Sequence, residues 1–276
     1  MQLEDEFGDI IAKARLGNGL TRAKLADTAQ LSERDIAAIE SYQLIPDADA
    51  IDRLACALGL DAAKLVAIAE GSWAPVPVGV SDGALAVREV HVPFGAYGEN
   101  AYVFGCASSR QGAVVDPGGA VDEIERQLRA NGLDLKMILV THAHADHTGG
   151  LRELVHKHPG VTVACSRYDR ESVMRGLDAD WNAAEDGSRI ALGELTVALL
   201  ATPGHTAGSM CYMVDGVCFV GDTLFAGSIG RPARDYRQML EAIRSKVLSL
   251  PEETVLLPGH GPATTVGEEK RHNPFF

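Results

Sequence analysis

The sequence lacks the features that would place it in a membrane or outside the cell. No apolar run approaches the roughly 18 residues that a membrane span requires. The start of the chain, residues 1–6, is acidic and lacks the basic-then-apolar pattern of a secretory signal. The cysteines are odd in number and scattered without a pairing pattern, at Cys56, Cys106, Cys165, Cys211 and Cys218. We therefore expect a reduced, cytoplasmic compartment and no membrane partner.

Basic charge is also in short supply. The 276 residues include 25 lysines and arginines against 38 acidic residues, which gives a formal net charge of −13. Such a surface does not attract nucleic acid or anionic lipid nonspecifically. Hydrophobic residues at 46% and charged residues at 23% are ordinary for a globular protein, and the length suits one large domain or two modest ones.

One short stretch, residues 141–147, holds three histidines and one aspartate. It directly follows the apolar run 137–140, a pattern that indicates a buried strand ending in a loop. Neutral imidazole and carboxylate are ligands that zinc and similar divalent cations accept. The pattern therefore predicts a metal site at the end of this strand.

Three more apolar runs end in polar side chains of the same kind. The runs and the side chains that follow them are 195–200 with His205, 217–220 with Asp222, and 255–257 with His260. Of the 9 histidines in the chain, five lie in these four segments. A histidine-rich surface tract that binds metal incidentally would not be matched by ligands elsewhere in this way, so we disfavour that interpretation.

These segments resemble the metal-binding motifs of the metallo-β-lactamase superfamily, and within it those of the glyoxalase II (hydroxyacylglutathione hydrolase) branch. The stretches that carry the resemblance are 115–119 (VDPGG), 227–231 (GSIGR) and 258–265 (PGHGPATT). The resemblance runs from about residue 85 to the C-terminus. It implies an α+β fold, the αββα sandwich of that superfamily, whereas periodicity alone would indicate only a mixed α/β fold.

The resemblance also implies two divalent metal ions per chain and a set of ligands for them. The ligands of the first ion would be three imidazoles, those of His142, His144 and His205. The ligands of the second would be Asp146, His147 and His260, with Asp222 bridging both ions. Zinc is the expected metal, although iron and manganese accept the same nitrogen and oxygen ligands.

Other polar residues near these motifs have less defined roles. Asp116 would either orient a ligand histidine or be a plain turn aspartate, and both interpretations stay open. Cys218 stands four residues before the ligand position at Asp222 and is predicted to be a core thiol. The remaining histidines lack a motif and are predicted to be surface or hydrogen-bonded side chains: His91, His156, His158 and His272.

The reaction that the resemblance implies is hydrolysis of a thioester such as a hydroxyacylglutathione, or of an ester, with metal-bound hydroxide attacking the carbonyl carbon. Asp146 would orient the nucleophile and take up a proton, and a thiolate leaving group needs little protonation. Candidate substrate-binding residues are Tyr102, Arg231 and Arg234. Only 16 residues follow His260 in the 276-residue sequence, so the C-terminal helical extension that binds glutathione in glyoxalase II is not expected.

Two other functions stay open. A mononuclear iron persulfide dioxygenase would keep the same ligand residues, but its usual Gly-Cys-Gly-Arg-Thr-Asp segment is here Gly-Ser-Ile-Gly-Arg-Pro, at 227–232. A transcriptional regulator whose hydrolase-like domain senses a metabolite is the second alternative. The N-terminal part of the chain is the reason to consider it.

The first 70 residues predict five short helices. Apolar residues recur at helical spacing, and the capping residues Thr21, Ser32 and Asp61 precede three of the segments. Residues 19–26 and 31–40 resemble the helix-turn-helix of the Cro/repressor family. Prolines and glycines then indicate a linker. We therefore predict a helix-turn-helix domain over 1–70, a linker over 71–83 and a hydrolase domain over 84–276.

The helix-turn-helix resemblance implies DNA binding through the third helix. However, residues 1–72 contain seven basic and thirteen acidic side chains, and the third helix has Glu33, Asp35 and Glu40 against Arg34 alone. Because phosphate neutralisation supplies most nonspecific affinity, this face would repel DNA. We favour a domain that forms a homo-oligomer or contacts protein, with DNA as the less favoured partner and a small thioester or ester as substrate.

Overall fold

The computed structural model describes residues 3–78, 85–94, 97–233 and 235–276. Five helices come first: α1 (Phe7–Gly17), α2 (Arg22–Ala29), α3 (Glu33–Glu40), α4 (Ala48–Leu58) and α5 (Ala62–Ala69). The side chains of Thr21, Ser32 and Asp61 accept hydrogen bonds from the amides at the third position beyond them. These caps satisfy amides that have no partner within the helix. The five helices predicted from the sequence are confirmed.

The turn between α2 and α3 is made without a glycine. Gln30 ends α2 in the left-handed region, at φ 54°, a conformation that is least costly for glycine. Helix α3 then begins at a reciprocal cap, in which Ser32 and Asp35 bond each other's backbone amides. Ile36 and Ile39 of α3 are fully buried against the other N-terminal helices. The arrangement is a compact helix-turn-helix.

Two six-stranded sheets follow. The first has the order β1 (Leu85–Phe94), β2 (Tyr97–Cys106), β3 (Gln111–Val115), β4 (Asp134–Leu139), β5 (Thr162–Ser166), β6 (Asp180–Ala184). The second has the order β14 (Thr264–Thr265), β13 (Val255–Pro258), β10 (Val217–Gly221), β9 (Met210–Val214), β8 (Leu195–Ala201), β7 (Arg189–Leu192). A small hairpin, β11 (Leu224–Phe225) and β12 (Ser228–Ile229), lies after the central strand of the second sheet.

The remaining helices are α6 (Val121–Ala130), α7 (Ala145–Thr148), α8 (Leu151–Lys157), α9 (Arg170–Val173), α10 (Tyr236–Ala242) and α11 (Val266–His272), with a π-helical turn (Ile243–Val247) after α10. Strands β3 to β6 run parallel, and β10 is parallel to β13. The carboxyl ends of parallel strands meet at one edge of a sheet. The loops after β4, β8, β10 and β13 carry the predicted metal ligands.

Side chains alternate across each strand, as a pleated sheet requires. In β10, Phe219 faces the space between the two sheets, whereas Cys218 and Val220 face the outer side. In β2, Phe104 packs on Phe219, with ring centroids 5.1 Å apart. Helices α6 and α8 cover the outer face of the first sheet. The predicted αββα sandwich is confirmed.

The outer face of the second sheet is covered differently. Its residues Cys218 and Val220 belong to one apolar cluster with α10, the π-helical turn, and buried residues of α1 to α5. The N-terminal domain and the hydrolase part therefore share a core. Trp73, in the predicted linker, stacks on His272 at 5.0 Å and donates a hydrogen bond to Glu268, while residues 79–83 of that linker lie outside the described part. The domain boundaries themselves stay a prediction.

All five cysteines are free thiols, and Cys218 lies fully buried in the core as expected.

Among the described residues, no helix is both long enough and apolar enough to cross a membrane. The cytoplasmic location stays a prediction.

A buried carboxyl group ties the last helix to the hairpin region. Glu269 of α11 accepts hydrogen bonds from the hydroxyl of Thr264 at 2.8 Å, the amide of Asn273 at 2.8 Å, and the backbone amide of Gly227 at 3.1 Å. Burial raises the pKa of Glu269 from 4.5 to about 7. Because the folded pKa lies above the unfolded value, the stability from this group is full below the unfolded pKa and is lost as the pH rises through the folded one.

We therefore expect Glu269→Gln to remove part of the pH dependence of stability. As the pH rises from below 4.5 to 8, the free energy of unfolding of the metal-free parent should fall by about 3 kcal/mol more than that of the variant. Urea unfolding at several pH values measures the difference. The exposed Glu241→Gln is the matched control, and parallel pH profiles for parent and Glu269→Gln would contradict the expectation.

Candidate metal centre

Four loops meet at the edge of the sandwich where β4, β8, β10 and β13 end. The loop after β4 turns at once into the one-turn helix α7, so that His144 stands just before it and His147 inside it. The loop after β8 carries His205, the end of β10 leads to Asp222, and β13 leads to His260. The structure thus brings together all seven predicted ligands, which in sequence are spread over more than a hundred positions.

Three imidazoles converge on one point. The Nε2 atom of His142 lies 2.9 Å from Nδ1 of His144 and 3.3 Å from Nε2 of His205. The His144 Nδ1 and His205 Nε2 atoms are 3.1 Å apart. An ion with nitrogen ligands at 2.0–2.1 Å in tetrahedral geometry separates those ligands by about 3.3 Å. The observed spacing suits such an ion.

A second group lies beside the first. The Nε2 atom of His260 is 3.5 Å from Oδ2 of Asp146, and Nε2 of His147 is 3.9 Å from the same oxygen. His147 is fully buried, whereas the Asp146 side chain is 21% exposed. This group could hold a second ion, with Asp146 at the open side of the site.

The carboxylate of Asp222 lies between the two groups. Its Oδ2 atom faces His205 at 3.5 Å and His142 at 4.0 Å. Its Oδ1 atom faces His147 at 3.3 Å and His260 at 3.7 Å. Each oxygen is therefore directed to a different group of imidazoles, which is the geometry of a ligand shared by two ions.

Two buried atoms of this site have no hydrogen-bond partner among the described residues. They are Nε2 of His147 and Oδ1 of Asp222, which lie 3.3 Å apart without forming a bond to each other. Buried polar atoms are costly unless paired or bound to an ion. The donor set and these two unpaired atoms both fit divalent cations.

Electrostatics within the site favour the metal-binding protonation state for Asp222 and His142. Burial would raise the pKa of Asp222, but the rings of His147, His142 and His205 overcome that effect and hold the pKa well below its ordinary value. Burial, reinforced by the charge of His147, lowers the pKa of His142 well below its ordinary range. An ionised carboxylate and a neutral imidazole are the forms that bind metal. Burial acts to lower the pKa of His147 and His260, but the neighbouring carboxylates overcome it and raise both pKa values.

Asp116 stands directly behind this site. It lies in the turn after β3 at φ 48°, and its Oδ1 and Oδ2 atoms accept hydrogen bonds from the amide and hydroxyl of Thr141 at 2.7 and 2.6 Å. Its Oδ2 atom also lies 2.9 Å from Nδ1 of His147. The bond fixes the ring and leaves Nε2 of His147 for the site. Of the two interpretations left open for Asp116, this geometry favours the orienting one.

Backbone carbonyls hold two further rings. Nδ1 of His205 lies 3.0 Å from the carbonyl of Arg231, and Nδ1 of His260 lies 2.8 Å from the carbonyl of Gly98. Each contact directs the Nε2 atom of its histidine inward. The sequence gives no sign of these partners, because any residue type supplies a carbonyl.

Two acidic residues near the site were not found from the sequence. Glu99 is fully buried, with its Oε1 atom 3.8 Å from Nδ1 of His147, and burial raises its pKa to about 10, so that it is neutral at physiological pH. Asp169 interacts electrostatically with His144, and its buried Oδ2 atom has no hydrogen-bond partner among the described residues. Neither residue belongs to a motif that spacing could have revealed.

Unlike the predicted ligands, the predicted substrate residues do not all lie at the site. Tyr102 is buried between the sheets, and its hydroxyl donates to the carbonyl of Pro258 at 2.7 Å, which places it in the core rather than on a surface that a substrate could reach. The Arg231 side chain is exposed beside the site. Arg234 lies outside the described residues.

The other histidines are engaged elsewhere or exposed. His158 forms an ion pair with Glu125, His272 stacks on Trp73, and His156 is exposed. The ring of His91 packs beside Gly98 on the neighbouring strand. None of these four belongs to the groups of converging metal-binding atoms among the described residues.

A cavity of about 640 Å³ opens beside the first group of imidazoles. It is lined by the ends of β5, β6 and β8 and by the loop that leads to His205. Arg167 and Tyr168 stand at its mouth, both exposed, with the guanidinium 5.0 Å from the phenol ring. The cavity is large enough for a small organic molecule, and none of the seven predicted ligands is among its lining residues.

Replacing Asp116 by Asn should weaken metal binding. The amide nitrogen of Asn cannot accept the proton on Nδ1 of His147, and outer partners of this kind typically contribute 10–100-fold in metal affinity, so we expect a loss of about that size. Competition with a chromophoric chelator measures the dissociation constant. The control is Asp178→Asn, a substitution of an exposed aspartate, and equal affinity for Asp116→Asn and the parent protein would contradict an orienting role.

Comparison with known proteins adds to this geometry. Residues 94–260 match the family described as the metallo-beta-lactamase superfamily, and residues 11–65 match a helix-turn-helix family. The hydroxyacylglutathione hydrolase GloC of Haemophilus influenzae is 32% identical over 188 residues, which cover 60% of this chain and 88% of that protein.

Solved structures with the same fold give two further likenesses. TTHA1623 in a di-iron-bound form is 31% identical, with a TM-score of 0.57, and the match covers 68% of this chain and 100% of that one. ETHE1 from Myxococcus xanthus is 28% identical, with a TM-score of 0.60, covering 68% of this chain and 83% of that one.

Proposed function

The chain belongs to the metallo-beta-lactamase superfamily, and from that premise we propose that it is a binuclear metal-dependent hydrolase of a thioester such as a hydroxyacylglutathione. The observation that carries the proposal is the carboxylate of Asp222, whose two oxygens face two separate groups of imidazoles. The proposed ligands are His142, His144, His205, Asp146, His147 and His260, with Asp222 shared.

Two bound divalent ions would supply a hydroxide nucleophile at neutral pH and polarise the carbonyl of the substrate. The residues of the chain provide the rest. Asp146 is the proposed catalytic residue, because its carboxylate is partly exposed and faces His260. The neighbouring His260 ring lowers the pKa of Asp146 below its ordinary value against the opposing effect of burial, so that its carboxylate is ionised and can accept a hydrogen bond from a nucleophilic water.

A thioester is the preferred substrate because, among the described residues, the site offers no separate acid to protonate a poor leaving group. Asp146 is ionised, and Glu99, the neutral acid, is sealed behind His147 rather than open to the cleft. A thiolate leaves without prior protonation, whereas an amine does not. The likeness to the hydroxyacylglutathione hydrolase GloC supports glutathione thioesters as the first class to test. The cavity beside Arg167 and Tyr168 has room for such a molecule.

The identity of the metal is part of the proposal. Five imidazoles and two carboxylates suit zinc, and they suit iron and manganese as well. The di-iron form of TTHA1623, at 31% identity, makes iron the second candidate. Zinc stays our first expectation.

A mononuclear iron persulfide dioxygenase is the second candidate function. The likeness to ETHE1 from Myxococcus xanthus, at 28% identity, favours it. The sequence Gly-Ser-Ile-Gly-Arg-Pro at 227–232 argues against it, because it departs from the segment that such enzymes share. The presence of two well-formed groups of donor atoms also favours two ions over one.

DNA binding by the N-terminal domain is the less favoured proposal for its role. Five of the seven basic side chains in residues 1–72 are engaged internally: Lys13 with Asp5, Arg15 and Arg22 with Glu40, Arg53 with the Ala29 carbonyl, and Lys64 with carbonyls at the C-terminus. Cations held in this way are not free for phosphates. Formation of a homo-oligomer through this domain stays a proposal that sedimentation would test.

The decisive experiment is hydrolysis of S-D-lactoylglutathione by purified protein, with metal content measured on the same sample. We expect turnover with two ions per chain, and Asp222→Ala should lower both metal content and kcat. The loss of kcat should exceed the roughly 10–100-fold effect of outer partners, because a shared ligand is removed. Asp178→Ala, at an exposed position, is the control.

Other outcomes redirect the proposal. Two bound ions without turnover would contradict the glutathione thioester and leave other acyl thiols and esters to be tested. A single iron with no hydrolysis would support the persulfide dioxygenase. An Asp222→Ala variant that keeps two ions and full turnover would rule out the shared ligand.

A further inference from the structure

The first helix of the N-terminal domain and the residues before it touch the loops of the metal centre. Between residues 3 and 17, such contacts are made at Glu4, Lys13 and Gly17. They reach the loop of His260, the hairpin that follows Asp222, and the start of α10. A domain joined to the hydrolase domain only through a linker would make no contacts of this kind.

The first contact is between Glu4 and Gly261, the residue after His260. Gly261 has φ 73°, and a Cβ there would lie 2.9 Å from Cβ and 3.1 Å from the backbone nitrogen of Glu4. Only glycine allows both this conformation and this approach. The charges of His260 and Asp222 act on the Glu4 carboxylate, so Glu4 stands near the proposed site.

The second contact is made by Lys13. Its Nζ atom donates to the carbonyl of Ile229 at 2.8 Å and pairs with Asp5, and the two charged side chains are only 13% and 8% exposed. The ammonium also lies 4.8 Å from the ring centre of Phe225, a cation–π contact. The ring of Phe225 meets His260 edge-on at 5.9 Å. The ring of Phe225 therefore lies between Lys13 and the proposed ligand His260.

The third contact is at Gly17, the last residue of α1. A Cβ at this position would lie 2.5 Å from the ring of Tyr236, so the helix approaches the ring more closely than any other residue would allow. Tyr236 is the first residue of α10. Helix α1 thus contacts Ile229 and Tyr236, which stand on either side of Arg231 in the chain.

Segment 229–236 includes Arg231, whose carbonyl fixes the ring of His205. A shift of Ile229, two residues before Arg231, would move that carbonyl and with it the ring. The hairpin of β11 and β12, which ends at Ile229, directly follows Asp222 in the chain. Through these links the contacts of α1 influence the positions of the Asp222, His205 and His260 side chains.

From these contacts we propose that α1 of the helix-turn-helix domain is a structural component of the metal centre, with Lys13 as a positioning residue for His205 and His260. The inference rests on the proposed binuclear site. It assigns the N-terminal domain a role in the hydrolase itself, which requires neither DNA nor a second chain. The two domains together are then the functional unit.

The test is metal affinity in the protein with both domains present. Lys13→Met alone would leave Asp5 buried and unpaired, which endangers folding, so the main variant is the double substitution Lys13→Met with Asp5→Asn. The matched control is Lys24→Met with Asp27→Asn, which changes charge equally on the exposed surface of α2. Zinc dissociation constants are measured by competition with a chromophoric chelator, and thermal unfolding is recorded on the metal-free proteins.

We expect the main variant to bind at least one ion about tenfold more weakly, at the low end of the effect of outer partners, with a metal-free unfolding temperature close to that of the parent. Cobalt substitution should also change the visible ligand-field spectrum of the main variant and leave that of the control unchanged. A merely structural role would lower the unfolding temperature and leave the affinity of the folded protein unaltered.

The outcomes separate this inference from the proposed function. If the parent protein fails to bind two ions, the proposed function fails, and the positioning role falls with it. If the parent binds two ions and the main variant binds them equally well with the same cobalt spectrum, the positioning role of Lys13 alone is overturned.

Discussion

The carboxylate of Asp222 must stay between two groups of imidazoles, and in the first group the ring nitrogens converge on one point. Ring nitrogens of His142, His144 and His205 stand 2.9–3.3 Å apart, an arrangement that is unfavourable unless a rigid scaffold or a cation holds it. The scaffold is the edge of the sandwich, where β4, β8, β10 and β13 end together. Behind the rings, Asp116 and backbone carbonyls fix the orientation that the strand ends alone would leave free.

The same need for a rigid scaffold explains the position of the N-terminal domain. A sheet in a sandwich of this type must have its outer apolar face covered. In the second sheet, α10 and the π-helical turn provide part of that cover, and the helix-turn-helix provides the rest within one continuous core. A fold associated with DNA binding is thus used here as a packing layer, and the internal pairing of its cations is consistent with that use.

Much of the fold was predictable because the relevant signals are local. The runs that end β4, β10 and β13 are continuous and apolar, as segments buried on both faces must be, whereas β8 alternates between buried and more exposed residues. The caps at Thr21, Ser32 and Asp61 mark helix starts by side-chain chemistry alone. Weak local signals were missed: β11, β12 and β14 have two residues each, which is too short for periodicity to show.

Prediction of the site was similarly divided. Motif spacing identified side chains with the chemistry of metal ligands, and the structure brings all seven together. It also suggested Tyr102 as a substrate residue, whereas the hydroxyl of Tyr102 bonds Pro258 inside the core. A tyrosine near a motif carries no local sign of which way its strand faces. That direction depends on the register between β1, β2 and β3.

The sequence by itself determined the chemistry of the donor set and the class of fold, since both depend on residue type and on spacing along the chain. The tertiary structure alone decided which oxygen of Asp222 faces which imidazoles and that Asp116 stands behind His147. It also decided that Lys13 reaches Ile229, which is 216 positions away. Periodicity describes neighbours within a few residues, whereas contacts of this range follow from how sheets and helices pack, and packing depends on the whole set of buried side chains at once.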